Sequence, residues 1–130
     1  MTKATLSIDS EFVVLNPDKQ ASVEVSDSSL YLRLNEHYNG FTGHQLVSCY
    51  EFSTDWPSWE MHPYGDEIVV LLSGQTEFIL QTDDTEVSII LSRQGEYVLV
   101  PRSVWHTART LNRCKLLFIT PGEGTEHRPV

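Results

Sequence analysis

The chain has 130 residues and carries 18 acidic against 9 basic side chains, a formal charge of −9. That length suits one domain, and the acid excess leaves no basic face for displacing phosphate counterions or docking on anionic lipid. Nucleic acid and membrane surfaces are thereby excluded as expected partners; a small molecule, a metal ion or another protein is not. Twelve Val, six Ile and eleven Thr stand against three Ala, a composition that fits pleated sheet better than helix. The longest purely apolar run, Ile68 to Leu72, is five residues, far short of a membrane span. The opening MTKATLSIDSEF lacks the apolar stretch of a signal peptide, so a cytoplasmic location is expected. Cys49 and Cys114 lie in apolar stretches without CxxC or metal-ligand spacing and read as small buried hydrophobes.

Taken in chain order, the first dozen residues read as peripheral. Turn signals then follow at Asn16-Pro17-Asp18, Asn39-Gly40, Asp55 to Pro57, Pro63 to Gly65, Ser73-Gly74, Asp83-Asp84, Gln94-Gly95, Leu111-Asn112 and Pro121 to Gly124. Between them, Ala21 to Val25 alternates with Val23 and Val25 on one face. Leu30, Leu32 and Leu34 alternate against Tyr31 and Arg33, which predicts a second strand. Glu67 to Leu72 and Tyr97 to Val100 predict strands buried on both faces, and Val87, Ile89 and Leu91 predict a half-buried one. Only Val104 to Leu111 offers a competing helical pattern, with Val104, Ala108 and Leu111 at i, i+4 and i+7. The tail from Pro121 reads as peripheral. Many short strands at even spacing predict an all-β sandwich or barrel, one domain over 1–130 with its core at about 21–120.

The chemistry concentrates in Trp59-Glu60-Met61-His62-Pro63-Tyr64-Gly65-Asp66-Glu67. In a strand, Glu60 and His62 share a face opposite Trp59 and Met61, and a turn at Pro63 to Gly65 is expected to return Glu67 on the neighbouring strand. A later segment, Tyr97-Val-Leu-Val-Pro-Arg-Ser-Val-Trp-His106, delivers a further histidine after a strand. Two histidines with one or two carboxylates is a ligand set for octahedral Fe(II), Mn or Ni, and sometimes Zn.

These segments resemble the cupins, small antiparallel jelly-roll barrels. The family's first motif, G-x5-H-x-H-x(3,4)-E-x6-G, is matched in spacing by Thr54, Glu60, His62, Glu67 and Gly74, with Thr54 at the leading Gly and Glu60 at the first His. The second, G-x5-P-x-G-x-x-H-x3-N, is matched by Gly95, Pro101 and His106, with Ser103 for the middle Gly and Thr110 for the Asn. Twenty residues separate the two. The resemblance implies a jelly-roll cupin barrel and metal positions at His62, Glu67 and His106. It also implies a homodimer. Two carboxylates and two imidazoles converging in a dry barrel favour a divalent cation (Fe, Mn, Ni or Zn) over a metal-free hydrogen-bonded cluster. Glu60 is the departure from the pattern. It is a candidate fourth metal ligand, a candidate catalytic base or hydrogen-bond partner of metal-bound water, or a sign of lost metal affinity; a carboxylate there favours harder ions over copper.

Trp59 and Trp105 read as facing away from the site, whereas Trp56 and Tyr64, on loops, are either a substrate mouth or packing. Arg33 and Arg102 are expected in surface ion pairs rather than against an acidic substrate, His37, His44 and His127 at the surface or as caps, and Asp18, Asp27, Asp83 and Asp84 as turn formers. The expected function is small-molecule metal chemistry of the dioxygenase kind. Two alternatives are a non-catalytic binding or sensing barrel, with or without metal, and a metal-dependent isomerase.

Overall fold

Alternation between turns produces eleven strands in the computed structural model, which describes residues 1–130: β1 (Glu11–Leu15), β2 (Ala21–Val25), β3 (Gln45–Phe52), β4 (Ser58–Met61), β5 (Glu67–Ser73), β6 (Thr76–Thr82), β7 (Thr85–Leu91), β8 (Tyr97–Val100), β9 (Trp105–Thr110), β10 (Cys114–Thr120) and β11 (Glu126–Pro129). One helix, α1 (Leu30–His37), and a 3-10 turn (Asn39–Phe41) sit between β2 and β3. The strands form two antiparallel sheets. One has the order β2-β1-β3-β10-β5-β8, the other β11-β4-β9-β6-β7. From β3 to β6 and again from β7 to β10 the chain changes sheet or pairs across non-neighbours in sequence, so the two halves of the site come from opposite sheets. No helix is long and apolar enough to cross a membrane.

The inward faces fill the barrel. Val69, Leu71, Phe78, Val100, Cys114 and Leu116 are almost fully buried in one cluster between the sheets. A second cluster joins Phe12 and Val14 of β1 to Leu30 and Leu34 of α1, with Phe41 and Leu46. Each of these large side chains contributes about 1.5–3 kcal/mol of burial. Cys49 and Cys114 are buried and unpaired with one another, and burial pushes both thiols up from their ordinary value.

Several expectations need correction. The leucines of 30–34 are helical: Leu30 and Leu34, four apart, are buried, while Leu32 and Tyr31 are each 60% exposed. The Asp27 carboxylate accepts the Ser29 N–H at 3.0 Å and turns the chain into the helix. Val104 to Leu111 is strand β9, not helix, with His106 and Ala108 facing inward. β8 is an edge strand buried on one face only, since Tyr97 and Leu99 are exposed. Val23 and Val25 are likewise exposed on edge strand β2. Neither end is wholly peripheral. β1 lies between β2 and β3 with Phe12 fully buried, and β11 pairs with β4.

Two motif positions have visible physical reasons. Gly74, at φ +82°, brings its backbone so close to Arg113 that a Cβ would stand 1.9 Å from the Arg113 carbonyl oxygen. Ser103, where the cupin pattern has Gly, keeps a left-handed φ of 67°, and its N–H donates to the His62 carbonyl at 2.9 Å. The loop before β9 is thereby tied to the residue at the end of β4. The neighbouring Arg102 N–H donates to Asp66 at 2.8 Å. The Arg102 side chain is exposed and forms no ion pair, contrary to expectation, whereas Arg33 pairs with Glu24 and Asp27 at 2.9 and 2.7 Å.

Candidate metal centre and ligand cavity

Strand alternation aims Glu60 into the barrel and Trp59 outward, as parity predicts. Trp59 and Trp105 both stack on the Arg128 guanidinium, 5.6 and 4.5 Å from its carbon, on the outer face. His62 follows the end of β4 and is 4% exposed. Glu60 and His106 are register partners on β4 and β9. Glu67, in contrast, does not return on a strand neighbouring β4. It opens β5 in the opposite sheet and meets the histidines across the barrel.

The geometry is tight. Glu67 Oε1 lies 3.1 Å from His106 Nε2, and Glu67 Oε2 lies 3.4 Å from His62 Nε2. Glu60 Oε2 is 3.9 Å from His62 Nε2, and single donor atoms of Glu60, His62 and His106 all fall within 4.8 Å of one another. The outer ring nitrogens fix the tautomers. His106 Nδ1 faces the Val104 carbonyl at 3.1 Å, which can only accept, so Nδ1 carries the hydrogen. His62 Nδ1 is 2.8 Å from Thr125 Oγ1, whose own hydrogen goes to the Gly122 carbonyl at 3.0 Å; His62 must therefore donate. With the hydrogen on Nδ1 in both rings, each turns its Nε2 toward Glu67. Both Nε2 atoms and Glu67 Oε1 are buried without a hydrogen-bond partner, as is the Trp56 indole N–H on the wall of the same cavity.

Buried acceptors gathered in this way suit a divalent cation, and the residues whose ligand atoms all lie within reach of one ion are Glu60, His62 and His106. The cluster also has an ion-free, protonated form: burial works to raise the Glu67 carboxyl, but hydrogen bonding and charge from His106 and His62 outweigh it and hold it at about 2. Burial works to lower the His106 imidazole, yet Glu67 beside it holds it above the ordinary value. The Thr120 hydroxyl donates to Glu67 Oε2 at 2.5 Å and fixes the carboxylate from behind.

Residues outside the motifs complete the surroundings. His127 on β11 is at the surface, as expected, and from there it is the register partner of Glu60, its Nε2 3.3 Å from Glu60 Oε1. No local signal marks it or Thr125, because both reach the site through a pairing more than 60 residues away in sequence. A cavity of about 810 Å³ opens beside Glu60, His62 and Glu67. Trp56 lines it, packing its ring against Phe52, Phe78 and Phe118 and within 6.4 Å of His106. Tyr64 is exposed and does not line it. His37 is exposed, and His44 packs on Phe41 and Tyr38.

Two facing antiparallel sheets enclosing such a cavity define a jelly-roll barrel. No protein-family model and no curated protein matches the sequence. Solved structures do match. An oxalate oxidase is 15% identical with a TM-score of 0.53, over 62% of this chain and 44% of that one. The Fe(II) enzyme HppE in complex with substrate is 16% identical with a TM-score of 0.50, over 58% and 42%. A cupin-2 domain protein from Shewanella frigidimarina is 19% identical with a TM-score of 0.48, over 59% and 70%. The region shared with the two enzymes spans less than half of their chains. At these identities the likeness is one of fold. The chain shares the jelly-roll fold of these structures, the fold that its two cupin-like motifs led one to expect.

Proposed function

We propose that this cupin binds one divalent transition-metal ion through His62, Glu67 and His106, with Glu60 as fourth ligand or base, and presents it to a small organic molecule in the adjoining cavity. The observation that carries this reading is the pair of buried Nε2 lone pairs converging on Glu67 without a donor. A bound ion would supply Lewis-acid polarisation of a ligand oxygen. The chain's own contributions are separable. Val104 and Thr125 hold the two rings in the coordinating tautomer, and Thr120 fixes Glu67. Glu60 is the carboxylate open to the cavity, at 29% exposure against 3% for Glu67, so it is the group placed to receive a proton from a bound molecule.

The dioxygenase-like reading comes first among catalytic ones, and an isomerase is the anaerobic alternative; oxygen uptake on turnover separates them. A metal-free binding barrel also has an observation in its favour. One proton on His106 would satisfy its contact with Glu67 without any ion. Pairing of two copies through the face bearing exposed Tyr97 and Leu99 belongs to the same proposal, as does a cytoplasmic setting, and sedimentation tests the first.

The test is metal content per chain by mass spectrometry on untagged protein purified without chelator, beside His106→Ala. Near-stoichiometric Fe, Mn, Ni or Zn that disappears in the variant supports the centre. Absence of metal after reconstitution transfers the function to the metal-free barrel.

A further inference from the structure

The walls of the cavity restrict what it can take. Tyr31, Phe41, Tyr50, Phe52, Trp56 and Phe118 line it with aromatic surface. Its only charged side chains besides the histidines are Asp55, Glu60 and Glu67, and no lysine or arginine reaches it. An anionic molecule meets three carboxylates and no fixed cation. A flat uncharged molecule meets ring faces and edges against which it packs.

One polar feature stands on elements that carry none of the four residues of the centre. The Tyr31 hydroxyl on α1 and the Tyr50 hydroxyl on β3 are 2.6 Å apart. Each phenol has one hydrogen, and the bond between them spends one. Neither hydroxyl has another protein partner, so one O–H is left free, open to solvent at the mouth of the cavity that both residues line. Tyr31 is 60% exposed and Tyr50 half-buried, and both hydroxyls stay protonated at neutral pH.

We propose that the cavity selects an uncharged planar aromatic molecule bearing a hydrogen-bond acceptor, such as a ketone or ether oxygen, and that the Tyr31–Tyr50 pair is the specificity element that binds this acceptor. The proposal rests on reading the cavity as the ligand site and is independent of whether the ion is bound.

The test uses three probes of one shape, 2-acetylnaphthalene, 2-ethylnaphthalene and 2-naphthoate, titrated by calorimetry against metal-loaded and chelator-stripped protein. In the stripped protein the ketone binds about fivefold tighter than the ethyl compound, the return on one neutral hydrogen bond. The carboxylate binds at least about tenfold more weakly than the ketone. Either single substitution leaves one donor, so the decisive variant is Tyr31→Phe/Tyr50→Phe. It brings ketone and ethyl compound within about twofold of each other and leaves the ethyl compound's affinity and metal uptake unchanged. Should that variant not fold, the carbonyl stretch of the ketone bound to wild type decides: a downshift supports the donor, and an unshifted band overturns it. Equal binding of naphthoate, an undiminished ketone preference in the double variant, or no binding of any probe also overturns the proposal. Metal content is read separately. A chain that binds the ketone but no metal keeps this proposal and ends the metal reading.

Discussion

Thr125 is the residue through which the C-terminal segment acts on the centre, and Thr125→Val isolates that action. Valine keeps the shape of threonine and removes the oxygen that accepts from His62 Nδ1 at 2.8 Å. His62 is 4% exposed, so water does not replace the lost acceptor. Two outcomes are open to the ring. It keeps its Nδ1 hydrogen unpaired, at a cost of about 1–3 kcal/mol, or it moves the hydrogen to Nε2 and spends the lone pair that faces Glu67. Both weaken coordination, and loss of an orienting partner of this kind lowers metal affinity about 10- to 100-fold. The assay is competition with a chromogenic chelator for Zn(II) or Mn(II), beside urea unfolding of metal-stripped protein. Thr125→Ser, which keeps the hydroxyl, is expected to stay near wild type. Affinity within about twofold of wild type in a folded Thr125→Val protein would refute the tautomer argument.

Further outcomes follow from the same geometry. Glu60→His restores the imidazole of the cupin pattern and is expected to tighten metal binding about tenfold by the same titration; unchanged or weaker binding would show that Glu60 does not face the metal. Ser103→Gly relieves a left-handed φ of 67°. Relief of about 1–2 kcal/mol against about 0.5–1 kcal/mol of added chain entropy predicts a net gain of about 0.5–1 kcal/mol in urea unfolding. Hydrogen bonds from Tyr38 and Arg33 hold the Glu24 carboxyl below its ordinary value. Its contribution is therefore full above about pH 4.3 and is lost as pH falls through the lower folded value, so Glu24→Gln loses stability against wild type at neutral pH and the difference closes in acid.

What the sequence disclosed depended on how local each signal was. Glu60, His62 and Glu67 lie within nine residues with strict alternation and a Pro-Gly turn, and the cupin resemblance added His106 to them. The side of the barrel from which Glu67 arrives could not, because a turn between neighbouring strands and a crossing between sheets carry the same residues. The alternation of Leu30, Leu32 and Leu34 read as a strand, yet Leu30 and Leu34, four apart, also match one face of a helix. The Asp27 turn decided for the helix, and burying Leu30 and Leu34 left Leu32 outside. Thr125, His127 and the phenol pair were invisible for one reason. Each acts through a partner on a distant strand, and no periodicity encodes which distant strand that is.

X-ray absorption at the metal edge of the loaded protein tests the central claim most directly. The account expects two imidazoles among N and O donors at about 2.0–2.2 Å, one of which disappears in His106→Ala. A spectrum without imidazole scattering, or one that His106→Ala leaves unchanged, would contradict it.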